Sequence, residues 1–125
     1  MSDKKTIDTN LAVLDLVPME EAFGEIDEMA LETYDLFISS TEPLLTELAR
    51  QLAAGNTGGG LETAHSAKGA ARMTGAFRLA EICGHIEREC KAGNGAEALD
   101  WLALVPMAFD EVKQAIADLK ASQGV

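Results

Sequence analysis

This sequence predicts an all-α fold, an antiparallel four-helix bundle with a short extra helix at its N-terminal end. Three observations carry that reading. Alanine and leucine number 20 and 15, against 5 valines and 6 isoleucines; Ala and Leu lose least on entering a helix, whereas β-branched residues favour strands. Apolar residues recur three and four apart over long stretches, which is the spacing of one face of a helix. Short glycine-containing breaks separate those stretches, and short connections place successive helices antiparallel. At 125 residues the chain suits one domain and leaves no room for two independent cores.

The elements follow in order. Met1–Asn10 is polar, lacks the apolar stretch of a secretory signal and is expected to be disordered, with the folded domain spanning residues 11–125. A short helix is predicted from Pro18, at a favoured first-turn position, to Phe23, with Gly24 ending it. Asp27 to Ala54 carries Leu31, Tyr34, Ile38, Thr41, Leu45, Leu48 and Leu52 at helical spacing. A bend is expected at Pro43, because proline removes a backbone donor and crowds the preceding turn; Gly55 is a natural stop. Asn56-Thr57-Gly58-Gly59-Gly60 reads as a flexible loop. A third helix is predicted over Leu61–Thr74 and a fourth over Phe77–Ala92, with Leu79, Ile82, Cys83, Ile86 and Cys90 on one face. The last, over Ala96–Ala121, contains Pro106, so it either kinks or breaks in two.

The formal net charge is −11. Such a surface repels phosphate backbones and anionic lipid, which argues against nucleic acid and membrane as partners. No apolar stretch is long enough to span a bilayer. A cytoplasmic protein is the expectation, and short loops with a polar exterior make a monomer the simplest arrangement. Cys83 and Cys90 have neither redox-pair nor disulfide-framework spacing and read as core thiols.

The third helix is the informative one. With about 100° per residue and His65 set at zero, Leu61, Lys68, Gly69 and Arg72 lie within about 60° of it. Thr63, Ala67, Ala70 and Thr74 lie opposite, a face of small residues that permits close helix approach. His65 is therefore expected to point outward, beside two cations and a glycine. Lys68 to Lys91 holds five cations and three acids, so this window is +2 and the rest of the chain −13. A basic island beside an exposed imidazole suits an anion, with phosphate the obvious candidate. An imidazole nitrogen can attack a phosphoryl group near neutral pH. Lys68 is placed to offset the incoming negative charge. Gly69 in mid-helix is unfavourable by about 1 kcal/mol against Ala, and close approach of a second protein, or of a neighbouring helix, gives it a reason.

The segment Ala64-His65-Ser66-Ala67-Lys68-Gly69-Ala70-Ala71-Arg72-Met73-Thr74-Gly75-Ala76 resembles the signature of histidine-containing phosphotransfer (HPt) domains. The similarity continues through Leu79, Cys83 and Ile86-Glu87, extends more weakly to Phe37 and Pro43, and covers roughly Leu11 to Leu119. Ala67 departs from the family, which more often has Leu there. The resemblance implies a four-helix bundle with an extra N-terminal helix, and a histidine that accepts phosphate from a receiver-domain aspartate and passes it on. His65 is then the phosphoacceptor, while Lys68, Gly69 and Arg72 stabilise the phosphoryl group or give access to it. The partners implied are response-regulator receiver domains and a sensor or hybrid histidine kinase of a bacterial two-component phosphorelay. With no nucleotide motif or acidic pocket in this chain, no cofactor is expected on it, and Mg²⁺ is expected from the receiver. Leu61, apolar yet on the outward face, is the candidate docking residue; Phe37 and Leu44, seven apart on the long helix, either extend that patch or belong to the periphery of the core, the reading their position favours.

Other readings are weaker. His85 lies off its helix's apolar stripe, has no Lys-Gly pair following it, and reads as a surface residue. Glu62 and His65 have the spacing of a di-metal helical site, but such sites need a second Glu-x-x-His, which His85 does not supply; no metal is expected. No Ser or Cys shows a base and an orienting acid, and Gly58–Gly60 lacks the lysine and hydroxyl of a phosphate-binding loop. Two alternatives use the same face: a non-catalytic helical adaptor, or the phosphoacceptor of a separate chemotaxis-type kinase.

Overall fold

The computed structural model describes residues 4–124. Among them are six helices and no strand: α1 Val17–Phe23, α2 Glu28–Ala53, α3 Thr57–Thr74, α4 Phe77–Lys91, α5 Gly95–Leu102 and α6 Val105–Ser122. The bundle is made of α2, α3, α4 and α6, with α1 and α5 as short accessories. Helix α3 packs between α2 and α4. Tyr34 and Leu48 of α2, Leu79, Ile82 and Ile86 of α4, and Val112 and Ile116 of α6 are fully enclosed between the helices. No helix among the described residues is long and apolar enough to cross a membrane.

Local chemistry explains the boundaries. The Asp27 carboxylate accepts from the Ala30 N–H at 2.9 Å and caps the first turn of α2. Gly24 and Gly55 take φ of +83° and +73° beyond α1 and α2, a conformation glycine adopts without strain. Helix α2 continues through Pro43, so the proline does not end it. At Pro106 the expected alternatives resolve as a break, because α5 ends at Leu102 and Pro106 sits in the first turn of α6, where its missing N–H leaves no intrahelical bond unmade.

Three expectations are corrected. The glycine-rich run is helical from Thr57 onward, with the Asn56 side chain accepting from the Gly59 N–H at 2.9 Å. Gly60 is buried, and a Cβ there would lie 2.8 Å from Leu52 Cδ2 and 3.1 Å from Cys90 Sγ; tight packing outweighs the low helix propensity of glycine. The inner face of α3 consists of Gly60, Ala64, Ala67, Ala71 and Thr74, whereas Thr63 and Ala70 are only half-buried. Two flanking helices, α2 and α4, bury a wider arc than a single opposite face. Finally, residues 1–3 of the expected disordered start lie outside the described residues, but Lys5 pairs with Glu97 at 2.7 Å. The Arg78 guanidinium donates to the carbonyls of Thr9 and Leu11 at 3.1 and 2.6 Å. Those bonds hold the segment against α4 and α5, an ordering that no local pattern in a polar stretch announces.

The same segment fixes the turn leading from α3 to α4. Gly75 has φ +93°, and a Cβ on it would come within 2.0 Å of the Asp15 carbonyl oxygen, so only glycine fits. The Asp15 N–H donates back to Gly75 O at 2.8 Å.

Candidate functional site

His65 lies on the outer face of α3, with 69% of its side chain exposed. Its Nδ1 is hydrogen-bonded to Glu87 Oε2, and the other carboxylate oxygen, Oε1, accepts from Lys68 Nζ. One carboxylate of α4 thus holds both polar side chains of α3. Burial would raise the Glu87 carboxyl, but the hydrogen bonds from Lys68 and His65, with the charge of Lys68, bring it below its usual range. An ionised carboxylate only accepts, so Nδ1 must carry the proton. In the neutral ring the lone pair is then on Nε2.

Lys68 is half-buried, not fully outward as the angular reading placed it; its side chain is 16% exposed. The stem passes over Gly84 of α4, where an added Cβ would stand 3.5 Å from Lys68 Cδ. The lysine stem therefore runs in close contact with α4 on its way to Glu87. Gly69 faces open space, with nothing within 4 Å of where a Cβ would be. Arg72 is exposed on the same side of α3 and forms no ion pair among the described residues.

Between α3 and α4 an open groove of about 580 Å³ runs beside the imidazole, lined by Leu61, Glu62, His65, Glu87, Arg88 and Lys91 among others. Leu61 is half-buried there. The other two docking candidates lie elsewhere: Leu44 is half-buried on α2, and Phe37 is a core residue, 6% exposed. Phe37 is buried in the place the apolar spacing gave to Ile38, because α1 and α3 both pack on that flank of α2. Above it a second groove, which includes Phe23, Leu36, Ala70 and Met73, is strongly apolar. Leu36 and Met73 are 64% and 79% exposed. Met73 lies about 80° from His65 around α3 and about 40° from Gly69 at 100° per residue, so the patch shares the outer face with the imidazole.

His85, read from the sequence as a surface residue, is half-buried and held on every side. Its ring stacks on Trp101, with centroids 3.9 Å apart and planes 4° from parallel. Nε2 bonds Glu81 Oε1 at 3.0 Å and Nδ1 takes a hydrogen bond from Arg88 Nη2 at 2.6 Å. Burial and the Arg88 charge lower its pKa, against the opposing pull of Glu81. Cys83 and Cys90 are buried; burial raises the Cys83 thiol to about 12, so it is a packing residue and no nucleophile. Among the described residues no three His, Cys, Asp or Glu side chains converge as metal ligands.

Sequence reasoning gave no site role to Glu87, named only within the family resemblance, nor to Arg88 and Trp101. A signal for the first exists: at 100° per residue Glu87 falls about 40° from Cys83, so a carboxylate flanks the buried stripe of α4 on a helix that must face α3.

A solvent-facing imidazole with a bare nitrogen, beside a lysine and an open glycine, is chemically suited to carry a phosphoryl group. The Hpt domain model matches residues 32–122, and the chain belongs to the histidine-containing phosphotransfer family. Among solved structures it is similar to histidine-containing phosphotransfer protein B from Pseudomonas aeruginosa PAO1. That match has 24% identity and a TM-score of 0.81 over 88% of this chain and 96% of that one, a likeness of fold. No curated protein sequence matches. The chain is thus a histidine phosphotransfer protein of a two-component phosphorelay, a carrier of phosphate and not an enzyme in the ordinary sense. Hpt domains interact with receiver domains and kinases.

Proposed function

We propose that His65 is the phosphoacceptor and that Nε2 is the attacking atom. The observation that carries this is the single carboxylate of Glu87 bonded to both His65 Nδ1 and Lys68 Nζ. It leaves the Nε2 lone pair free on an exposed ring. In transfer from a receiver, Nε2 attacks the phosphorus of the aspartyl phosphate. An N–P bond forms as the P–O bond breaks, and the aspartate leaves as a carboxylate with the bonding electrons. The Nδ1 proton stays in place, so the positive charge developing on the ring faces the negative Glu87. Onward transfer to a second receiver is the same step reversed.

This chain contributes a nucleophile, a charge environment and a docking face. In-line geometry and the divalent cation, expected to be Mg²⁺, come from the receiver along with its aspartate. Lys68, through its ammonium, and Arg72, from the rim, offset phosphoryl or receiver charge. Gly69 leaves clearance for the visiting protein. The exposed apolar side chains Met73 and Leu36, with Leu61 on the other side of the imidazole, are the surfaces a receiver would cover.

The test is His65→Gln. That variant should keep the parent's helical circular dichroism and take no label from a phosphorylated receiver. Undiminished, acid-labile label on the variant would move the acceptor to His85, and a parent chain that never carries phosphate with any receiver would leave only an adaptor role.

A further inference from the structure

The groove beside His65 has a second wall whose charge the acceptor site does not use. Arg88 and Lys91 of α4 line it, both are exposed, and neither forms an ion pair among the described residues. Within the acceptor triad, by contrast, the charges cancel: Lys68 is positive, Glu87 negative, and the imidazole with its bare Nε2 neutral. A phosphoryl group on Nε2 adds a charge approaching −2 that Lys68, already bonded to Glu87, cannot offset alone.

Arg88 adjoins Glu87 in the chain, and its guanidinium rests on a neutral acceptor, His85 Nδ1, at 2.6 Å. The tautomer is fixed from the other side: Nε2 of that ring faces Glu81 Oε1 at 3.0 Å, so Nε2 carries the proton and Nδ1 is bare. The His85 ring itself is held by stacking on Trp101 and does not need the arginine to stay in place. A neutral nitrogen is a weaker partner for guanidinium than phosphoryl oxygens, which take charge-assisted and bidentate hydrogen bonds.

We propose that Arg88 is a phosphoryl-holding residue, parked on His85 Nδ1 in the unphosphorylated protein and turned to the phosphoryl oxygens once His65 Nε2 carries the group. No covalent bond changes in this movement; one guanidinium exchanges a neutral acceptor for an anionic one. The proposal rests on His65 being the acceptor, and its consequence is thermodynamic. Arg88 draws the transfer equilibrium toward the phosphorylated carrier, which favours retaining phosphate between donor and recipient.

The experiment measures how label divides at equilibrium between the full chain and a receiver domain that labels it. Arg88→Ala should shift the division about three- to fivefold toward the receiver, the size expected for one charge-assisted contact at an exposed site, and Arg88→Lys should recover part of it. His85→Phe keeps an aromatic ring against Trp101 and removes both ring nitrogens, the parking Nδ1 and the Nε2 that bonds Glu81; neither contact reaches the phosphoryl group, so the variant should hold the division at the parent value or move it toward the carrier. Phosphorylation should also shift the ¹⁵N resonance of His85 Nδ1 toward that of an unbonded ring nitrogen. An unchanged division in Arg88→Ala, a His85→Phe that behaves like Arg88→Ala, or an unmoved Nδ1 resonance overturns the proposal while the acceptor assignment stands. A parent chain whose His65 takes no label overturns both.

Discussion

The two histidines of this chain sit on facing helices and have opposite fates. His65 is 69% exposed and bonded through Nδ1 alone. His85 has both nitrogens bonded and its ring flat against an indole. The residue type is the same, so chemical identity does not separate them; the number of ring nitrogens left without a partner does. A nucleophile needs a bare lone pair and a path for the electrophile, and only the α3 imidazole has both. A Glu four residues before His85 on its own helix ties up Nε2, whereas the Glu that bonds His65 comes from the neighbouring helix and binds the inner nitrogen. That difference in approach direction leaves Nε2 open in one ring and closed in the other.

Breaking the contrast completely requires removing the open ring. The His65→Gln variant described above should lose all labelling although His85 is untouched, because nothing in that substitution frees a nitrogen of His85. The next largest effect is expected at the shared carboxylate. Glu87→Ala should slow transfer about tenfold, the lower end for loss of a hydrogen bond to a charged group, since the proton is no longer held on Nδ1. Glu87→Gln, which still offers a carbonyl oxygen to that proton, should be milder. Equal rates for parent and Glu87→Ala, measured by single-turnover transfer from a receiver, would show that the tautomer needs no holding. Lys68→Ala should slow transfer several-fold, about the value of one partly exposed charge-assisted contact, without a change in the thermal midpoint large enough to indicate unfolding.

The smallest effect sharpens the other side of the contrast. Burial and Arg88 lower the pKa of His85 in the folded state, so the neutral ring is the form the fold prefers. Its contribution to stability is fully present above the ordinary histidine pKa of about 6.5 and is lost as pH falls below that value and through the lowered folded one. Urea midpoints compared at pH 7.5 and 5.5 should therefore fall slightly in the parent and fall less in His85→Phe. An identical decline in both would place the pH dependence elsewhere.

How much of this was legible beforehand depends on the distance along the chain over which each feature is built. His65, Lys68, Gly69 and Arg72 lie within about two turns of one helix, and helix geometry alone puts them near one another. Their shared face was therefore readable, although the depth of Lys68 was not, because that depends on Glu87 of another helix holding the ammonium. Phe37 read from the sequence either as part of a docking patch or as peripheral core, and the second reading holds, since its exposure was decided by α1 and α3 closing over it. The glycine run at Gly58–Gly60 carried a true loop signal by propensity, which a cap at Asn56 and close packing at Gly60 overrode.

The sequence by itself determined the helical class, the glycine stops at Gly24, Gly55 and Gly75, and the local cluster around the α3 imidazole, because each follows from backbone preference or from the fixed 3.6-residue turn. Only the tertiary structure decided that Glu87 bonds His65, that Arg88 rests on His85, that Trp101 covers that ring, and that Lys5 and Arg78 tie down the N-terminal segment. Those pairings join residues brought together by the rotation and register of packed helices. Rotation and register are set by the summed packing of the whole core, a quantity that no short window of residues contains.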